Sequence, residues 1–386
     1  MPNNPPLAFY APMKSPDSPR PSGDRTLARL FMQALSRAGF SVSLASDFRS
    51  WEGRGDKQAQ ELIRRDAEQL AASLLERFRA LPVEERPLAW FTYHLYHKAP
   101  DLLGPTISRG LGIPYFLAEA SISPRQANGH WQRGYEQSLS AVSQASRIFN
   151  LNPADIPMLE SLAGGEQKIT PIAPFLDNDA ENLTNRNSLR QRLASKLRLD
   201  ADRYWLLSVA MMRDDSKLKS YEQLARAMDR MERKDWLLLI VGDGAAELQV
   251  RDHFRLEANR QIYFLGRRDA VFIRQLMTAS DLLVWPAINE AIGMITLEAL
   301  SVGLPAVCGR SGGIDQIVKH GETGLLVDDP SANKSAQDFA LAIESLLASP
   351  SRLAAMAAAS LQRFRQYHRI EAAAGVLLSA MQPALS

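Results

Sequence analysis

Short apolar runs alternate along this chain with segments whose apolar residues return at helical spacing, and the alternation predicts an α/β architecture. In the first half, strands are expected at Leu7–Met13, Ser41–Ser46, Leu88–Tyr93 and Tyr115–Ala118, with short ones at Arg147–Asn150 and Lys168–Pro171. Leu62, Ile63, Ala67, Leu70, Ala71, Leu74 and Phe78 mark one amphipathic helix over Lys57–Ala80. Its polar face mixes acids with arginines, which suits a crossover helix packed on a sheet rather than one lying on a membrane. Other helices are expected from Thr26, over Asn128–Gln144 and near Ala154–Leu162. In the second half a helical lead-in, Asn182–Leu197, precedes strands at Trp205–Met211, Trp236–Val241, Gln261–Leu265, Asp281–Trp285 and Pro305–Gly309. A last strand, Leu325–Val327, is followed by helices at Ala332–Ala348, Ser351–Phe364 and Glu371–Met381.

Length turns this pattern into two domains, because 386 residues exceed a usual single core. The expected boundary lies near 175/176, after the proline-containing run Pro171–Asp177. A net charge of +2, near balance in each half, gives no footprint for nucleic acid. The single cysteine, Cys308, lies in an apolar strand, so no disulfide or cysteine metal cluster can form within the chain. No run of 18 apolar residues occurs, and the start lacks the pattern of a secretion signal. A cytoplasmic protein is the expectation, with peripheral contact at the inner face of a membrane left open.

The chemistry-bearing residues concentrate between Trp285 and Asp328, where a strand end is followed by two acids and closely spaced glycines. Glu290 falls in the loop before a helix expected near Met294, and Glu298 one turn inside that helix. Carboxylates there can hold sugar hydroxyls and a ribose, while the amides of Gly293, Met294 and Ile295 would face a diphosphate. Taken singly, Glu290 reads equally as an ordinary first-turn acid and Glu298 as a solvent-facing helix residue.

The run NEAIGMITLEALSVGLPAV, with GG, IV and GETGLLV after it, resembles the nucleotide-sugar signature of glycosyltransferase family 4. The resemblance implies a GT-B fold, two Rossmann-like domains facing an interdomain cleft, and transfer with retention of anomeric configuration. It implies that Glu290 reaches the transferred sugar and Glu298 the ribose. Where many relatives have Gly-Phe-Gly, this chain has Ala291-Ile292-Gly293, which keeps the glycine at the phosphate position. The same resemblance places 176–364 as the nucleotide-sugar-binding domain, and 365–386 as a helix crossing back to the acceptor-side domain, 1–175.

Other candidates lie at strand ends. Arg213 and Lys219 stand between a strand and a helix where two cations can neutralise a departing diphosphate, with Lys217 a competitor for the lysine role. Gly266 and Arg267 follow a strand and are base-side candidates by the resemblance. In the first half, Gly23 matches the glycine-bearing first loop of GT-B enzymes, while Ser22 and Asp24 read as helix caps. His94 lies at a strand end and is the sugar or acceptor contact that the resemblance implies; His97 and Glu119 are weaker candidates.

The expected activity is transfer of a sugar from a nucleoside diphosphate donor to a hydroxyl of a glycan or small acceptor, without cofactor or metal. A GT-B nucleotide-sugar epimerase and a nucleotide-sugar-binding protein without catalysis are the alternatives. The donor base, the sugar and the acceptor are not legible.

Overall fold

The computed structural model describes residues 4–20, 22–178, 185–254, 261–332 and 334–385. Residues 182–184 of the expected lead-in helix and Asn333 fall outside them. The chain divides into two compact units, Met1–Ala173 with Ile370–Ser386, and Pro174–Arg369.

The first unit is built on a six-stranded parallel sheet of β1 (Pro6–Tyr10), β2 (Ser41–Ser46), β3 (Ala89–Tyr96), β4 (Tyr115–Ser121), β5 (Arg147–Asn150) and β6 (Ile169–Pro171), in the order β2-β1-β3-β4-β5-β6. Phe9 on β1 stacks on Phe91 of the neighbouring β3, and Phe91 on Phe149 of β5 across the intervening β4, each at a centroid spacing of 5.9 Å, so three aromatic side chains join β1, β3 and β5 in one core. One buried acid, Asp101, accepts from Thr92 Oγ1 at 2.6 Å, Tyr115 Oη at 2.7 Å and two backbone amides, which compensates its desolvation. The sheet order reverses between β1 and β3, and the carboxyl ends of those strands are where such folds present ligand-binding loops.

Several boundaries differ from the sequence expectation by a few residues, and three of the differences have a visible cause or consequence. β1 stops at Tyr10, ahead of the Pro12 that the longer strand would have had to include. β3 runs on past Tyr93 to Tyr96, through a backbone kink at His94 with φ +61°. The helix Gly23–Arg37 begins three residues early because the Ser22 side chain caps it by accepting from the Arg25 amide. The final helix, Ile370–Leu385, packs on Gly23–Arg37, and Arg37 and Glu371 form an ion pair between them.

The second unit carries β7 (Tyr204–Val209), β8 (Trp236–Val241), β9 (Ile262–Gly266), β10 (Leu282–Trp285), β11 (Ala306–Gly309) and β12 (Gly324–Val327). All pairs are parallel, in the order β12-β11-β10-β7-β8-β9, the doubly wound arrangement with its reversal between β7 and β10. β8, WLLLIV, is buried along its whole length, as a central strand covered by helices on both faces requires. The chain enters and leaves this unit side by side: the Leu176 amide donates to the His368 carbonyl at 2.9 Å, and His368 Nδ1 donates to the Pro174 carbonyl at 2.7 Å. A turn of π-helix, Phe364–His368, leads to that exit, so the return to the first unit starts at Ile370. No described helix is long and apolar enough to cross a membrane.

Candidate functional site

In the second unit the loop after β10 turns sharply, with Ala287 at φ +56° and Asn289 at φ +53°. Residues with a Cβ rarely adopt that conformation, and such strain clusters at ligand-handling loops. The turn is held from two sides. The Glu290 amide lies 3.1 Å from Ser311 Oγ, and the Ile288 amide donates to Ser220 Oγ at 3.1 Å. Gly312 packs so tightly that a Cβ there would sit 2.1 Å from the Glu290 carbonyl oxygen.

This bracing delivers the Glu290 carboxylate to Lys217, whose ammonium pairs with Glu290 Oε2. Both side chains are largely shielded, at 16% and 20% exposure, and the ammonium also lies 5.4 Å from the Trp285 ring. Lys217 reaches this point because Asp215 caps the helix Ser216–Arg230 and sets its phase. Lys219 is exposed, and Arg213 is half exposed and paired with Asp215 at 2.9 Å. The structure therefore brings Lys217, not Lys219, against Glu290. Spacing alone could not decide between lysines two positions apart.

The helix Met294–Ser301 begins at Gly293, at φ +82°, and no side chain caps it. The first amides of such a helix have no partner within it, so those of Met294 and Ile295 are available to an anion. Glu298 lies in the second turn of the same helix. Burial raises its carboxyl to about 7, against which Arg274 acts weakly. Gly266 closes β9 at φ +66°, an edge strand two places from the reversal, with exposed Arg267 beside it. A cavity of about 640 Å³ in this unit lies elsewhere, at the amino ends of the strands against Tyr204, Asp281 and Pro305. That is the wrong edge of the sheet for a nucleotide.

In the first unit Asp24 does not cap its helix; its carboxylate meets His94 Nδ1 at 2.7 Å. Adding a Cβ to Gly23 meets nothing within 4 Å, so packing does not require glycine there. Glu119, in the strand beside His94, also sits at positive φ, +57°, and accepts from the Leu151 amide at 2.6 Å. Burial raises Glu119 to about 7. For His94 burial acts downward, but the hydrogen bond and charge of Asp24, with the charges of Glu119 and Asp155, raise it overall. His97 belongs to a different group. It packs edge-on against Trp131 at 5.7 Å, and burial together with Lys98 lowers its pKa. Of these groups, Lys217 stood in the sequence as the competitor to Lys219 and Asp24 as a helix cap, while Ser220 and Ser311 carried no expectation. Among the described residues no group of three His, Cys, Asp or Glu side chains is placed to hold a metal ion.

Residues 190–363 match the family described as Glycosyl transferases group 1. D-inositol 3-phosphate glycosyltransferase of Rhodococcus erythropolis (strain PR4 / NBRC 100887) is 27% identical over 256 residues, 64% of this chain and 55% of that protein. The chain thus spans about half the length of that relative. N-acetyl-alpha-D-glucosaminyl L-malate synthase of Bacillus anthracis is 33% identical over 116 residues, 29% of each chain. Among solved structures, Anabaena HepE in complex with UDP superposes with TM-score 0.71 at 17% identity, covering 98% of this chain and 99% of that one. Sucrose-phosphate synthase from Thermosynechococcus elongatus gives 0.67 at 18%, covering 98% of each. The fold is accordingly GT-B, with two Rossmann-like α/β domains.

Proposed function

We propose that the protein is a glycosyltransferase of family 4 that moves a sugar from a nucleoside diphosphate donor to a hydroxyl of a glycan or small acceptor, with retention. The observation that carries the reading is the Lys217–Glu290 pair at the strand-order reversal of the second unit, beside the uncapped start of the helix Met294–Ser301. The match of residues 190–363 to the Glycosyl transferases group 1 family and the named activities of the relatives support it.

In this reading the amides of Met294 and Ile295 and the cations Lys217 and Arg213 hold the diphosphate and stabilise the charge that develops on it. Glu298 accepts from the ribose hydroxyls and Glu290 from the transferred sugar. The acceptor oxygen bonds to the anomeric carbon as the bond to the β-phosphate oxygen breaks. The diphosphate leaves with the electron pair, and the acceptor's proton passes to it. Fixed cations and helix amides supply the electrostatic work, so no cofactor enters the scheme.

The test is a thermal-shift screen of UDP-, GDP- and ADP-sugars, since a ligand that binds only the folded chain raises its melting temperature. One donor is expected to shift the transition at concentrations where the others do not. Absence of a shift with every donor, for protein verified as folded, removes the basis of the reading. With a donor in hand, NMR of the product's anomeric proton decides retention.

A further inference from the structure

Two neighbouring strands of the first unit break their backbone conformation at the same level. Tyr93 pairs with Ala118 and Leu95 with Ala120, and the two residues between, His94 and Glu119, both adopt positive φ. Neither is glycine, so each stores strain of about 1–3 kcal/mol that regular strand geometry would release. Both kinks lie towards the carboxyl edge of the sheet, close enough for the charge of Glu119 to act on His94. Asp24 comes from the first turn of the helix Gly23–Arg37, its carboxylate 2.7 Å from His94 Nδ1. The Leu151 amide fixes Glu119 at 2.6 Å.

A carboxylate accepts only, so at this bond His94 Nδ1 carries the proton and the other ring nitrogen, Nε2, is left for a different partner. We propose that Asp24 is a positioning residue: it holds His94 in the Nδ1-protonated tautomer so that Nε2 meets a hydroxyl of the sugar substrate. This rests on the glycosyltransferase reading for the identity of the substrate, not for the tautomer. The groups that face His94 are Asp24, Glu119 and Asp155, with Tyr93 and Tyr96 against its ring. Asp24 in contact, with the acids Glu119 and Asp155 acting by charge alone, favours a neutral hydroxyl at this point over a phosphate or carboxylate. The three acids also keep the imidazole protonated to higher pH than usual, so Nε2 donates to the hydroxyl on the acid side and accepts from it above.

The experiment has two arms. In the full-length protein without substrate, long-range 15N–1H NMR follows His94 through a pH titration in the wild type, Asp24→Asn and Asp24→Glu, with urea melts confirming folding. Wild-type His94 is expected to lose its Nε2 proton and keep the Nδ1 proton. In Asp24→Asn the apparent pKa falls by about one unit or more, and Asp24→Glu restores part of the shift. In the second arm, with the donor found by the screen, Asp24→Asn lowers kcat roughly a hundredfold, leaves donor Kd within about twofold, and moves the acid limb of the kcat profile as the NMR pKa moves. An unchanged His94 titration and tautomer in Asp24→Asn overturns the proposal, as does a kcat profile that ignores the shift. If the wild type turns over no nucleotide sugar, the glycosyltransferase reading fails, and the NMR arm still decides the tautomer.

Discussion

Lys217 and Glu290, 73 residues apart, form a shielded ion pair that joins the helix after β7 to the loop after β10. A pair this far out of solvent is retained at a desolvation cost, and removing one partner leaves the other charge unpaired. Lys217→Ala is therefore expected to weaken donor binding and lower kcat/KM by about two orders of magnitude. Lys219→Ala, an exposed position, stays within a few-fold of wild type. Steady-state kinetics on both variants separates the assignments, and equal losses would show that Lys219 shares the role.

Glu298 yields a proton-linkage prediction. Its carboxyl is raised to about 7 because burial disfavours the charged form. Ribose hydroxyls donating to it favour that form, so nucleotide binding lowers the pKa and expels a proton. Affinity for the donor nucleotide should rise as pH increases towards 7, by at most about tenfold per pH unit, and level off above. Calorimetry in buffers of different ionisation enthalpy reads the proton directly. Glu298→Gln should abolish the release, and a wild type that releases none contradicts the role.

The two glutamates were visible in the sequence because spacing along one loop and helix is a local property. The strand series was visible for a similar reason: a strand buried on both faces, such as Trp236–Val241, needs an unbroken apolar run. The choice between Lys217 and Lys219 was not. Residues two apart on a helix point about 200° away from each other, so the answer depends on where Asp215 starts the helix. The Asp24–His94 contact was hidden further, since it joins positions 70 apart and depends on a strand kink that no residue type announces. Asp24 carried an adequate local explanation as a cap, which Ser22 in fact provides.

Gly312 makes the bracing of the Glu290 loop testable. It sits at φ +51°, and a Cβ would lie 2.1 Å from the Glu290 carbonyl and 2.5 Å from that of Ala291. Gly312→Ala must displace that backbone, at a cost of about 1–3 kcal/mol, and carries Glu290 away from Lys217. Donor affinity is expected to fall with stability. A variant as stable and as active as wild type would mean that the loop is not held from this side.

His368 sets an acid limit on the second unit. It is fully buried beside the point where the chain enters, and donates from Nδ1 to the Pro174 carbonyl at 2.7 Å. Burial lowers its pKa to about 4, against 6.5 for an ordinary histidine. The unfolded chain thus takes up a proton at a pH where the folded chain does not. Stability from this residue is complete above pH 6.5 and is lost as pH falls towards 4, by about 3 kcal/mol at most. Glu298 and Glu119, both raised to about 7, act in the opposite direction over part of the same range. Total stability is therefore a poor readout, and the comparison must be with His368→Gln, which cannot titrate. Urea unfolding of the second unit at pH 7 and pH 5 should show the variant losing less stability on acidification than wild type. Equal losses would mean that His368 is already protonated in the folded chain or remains buried and neutral after unfolding.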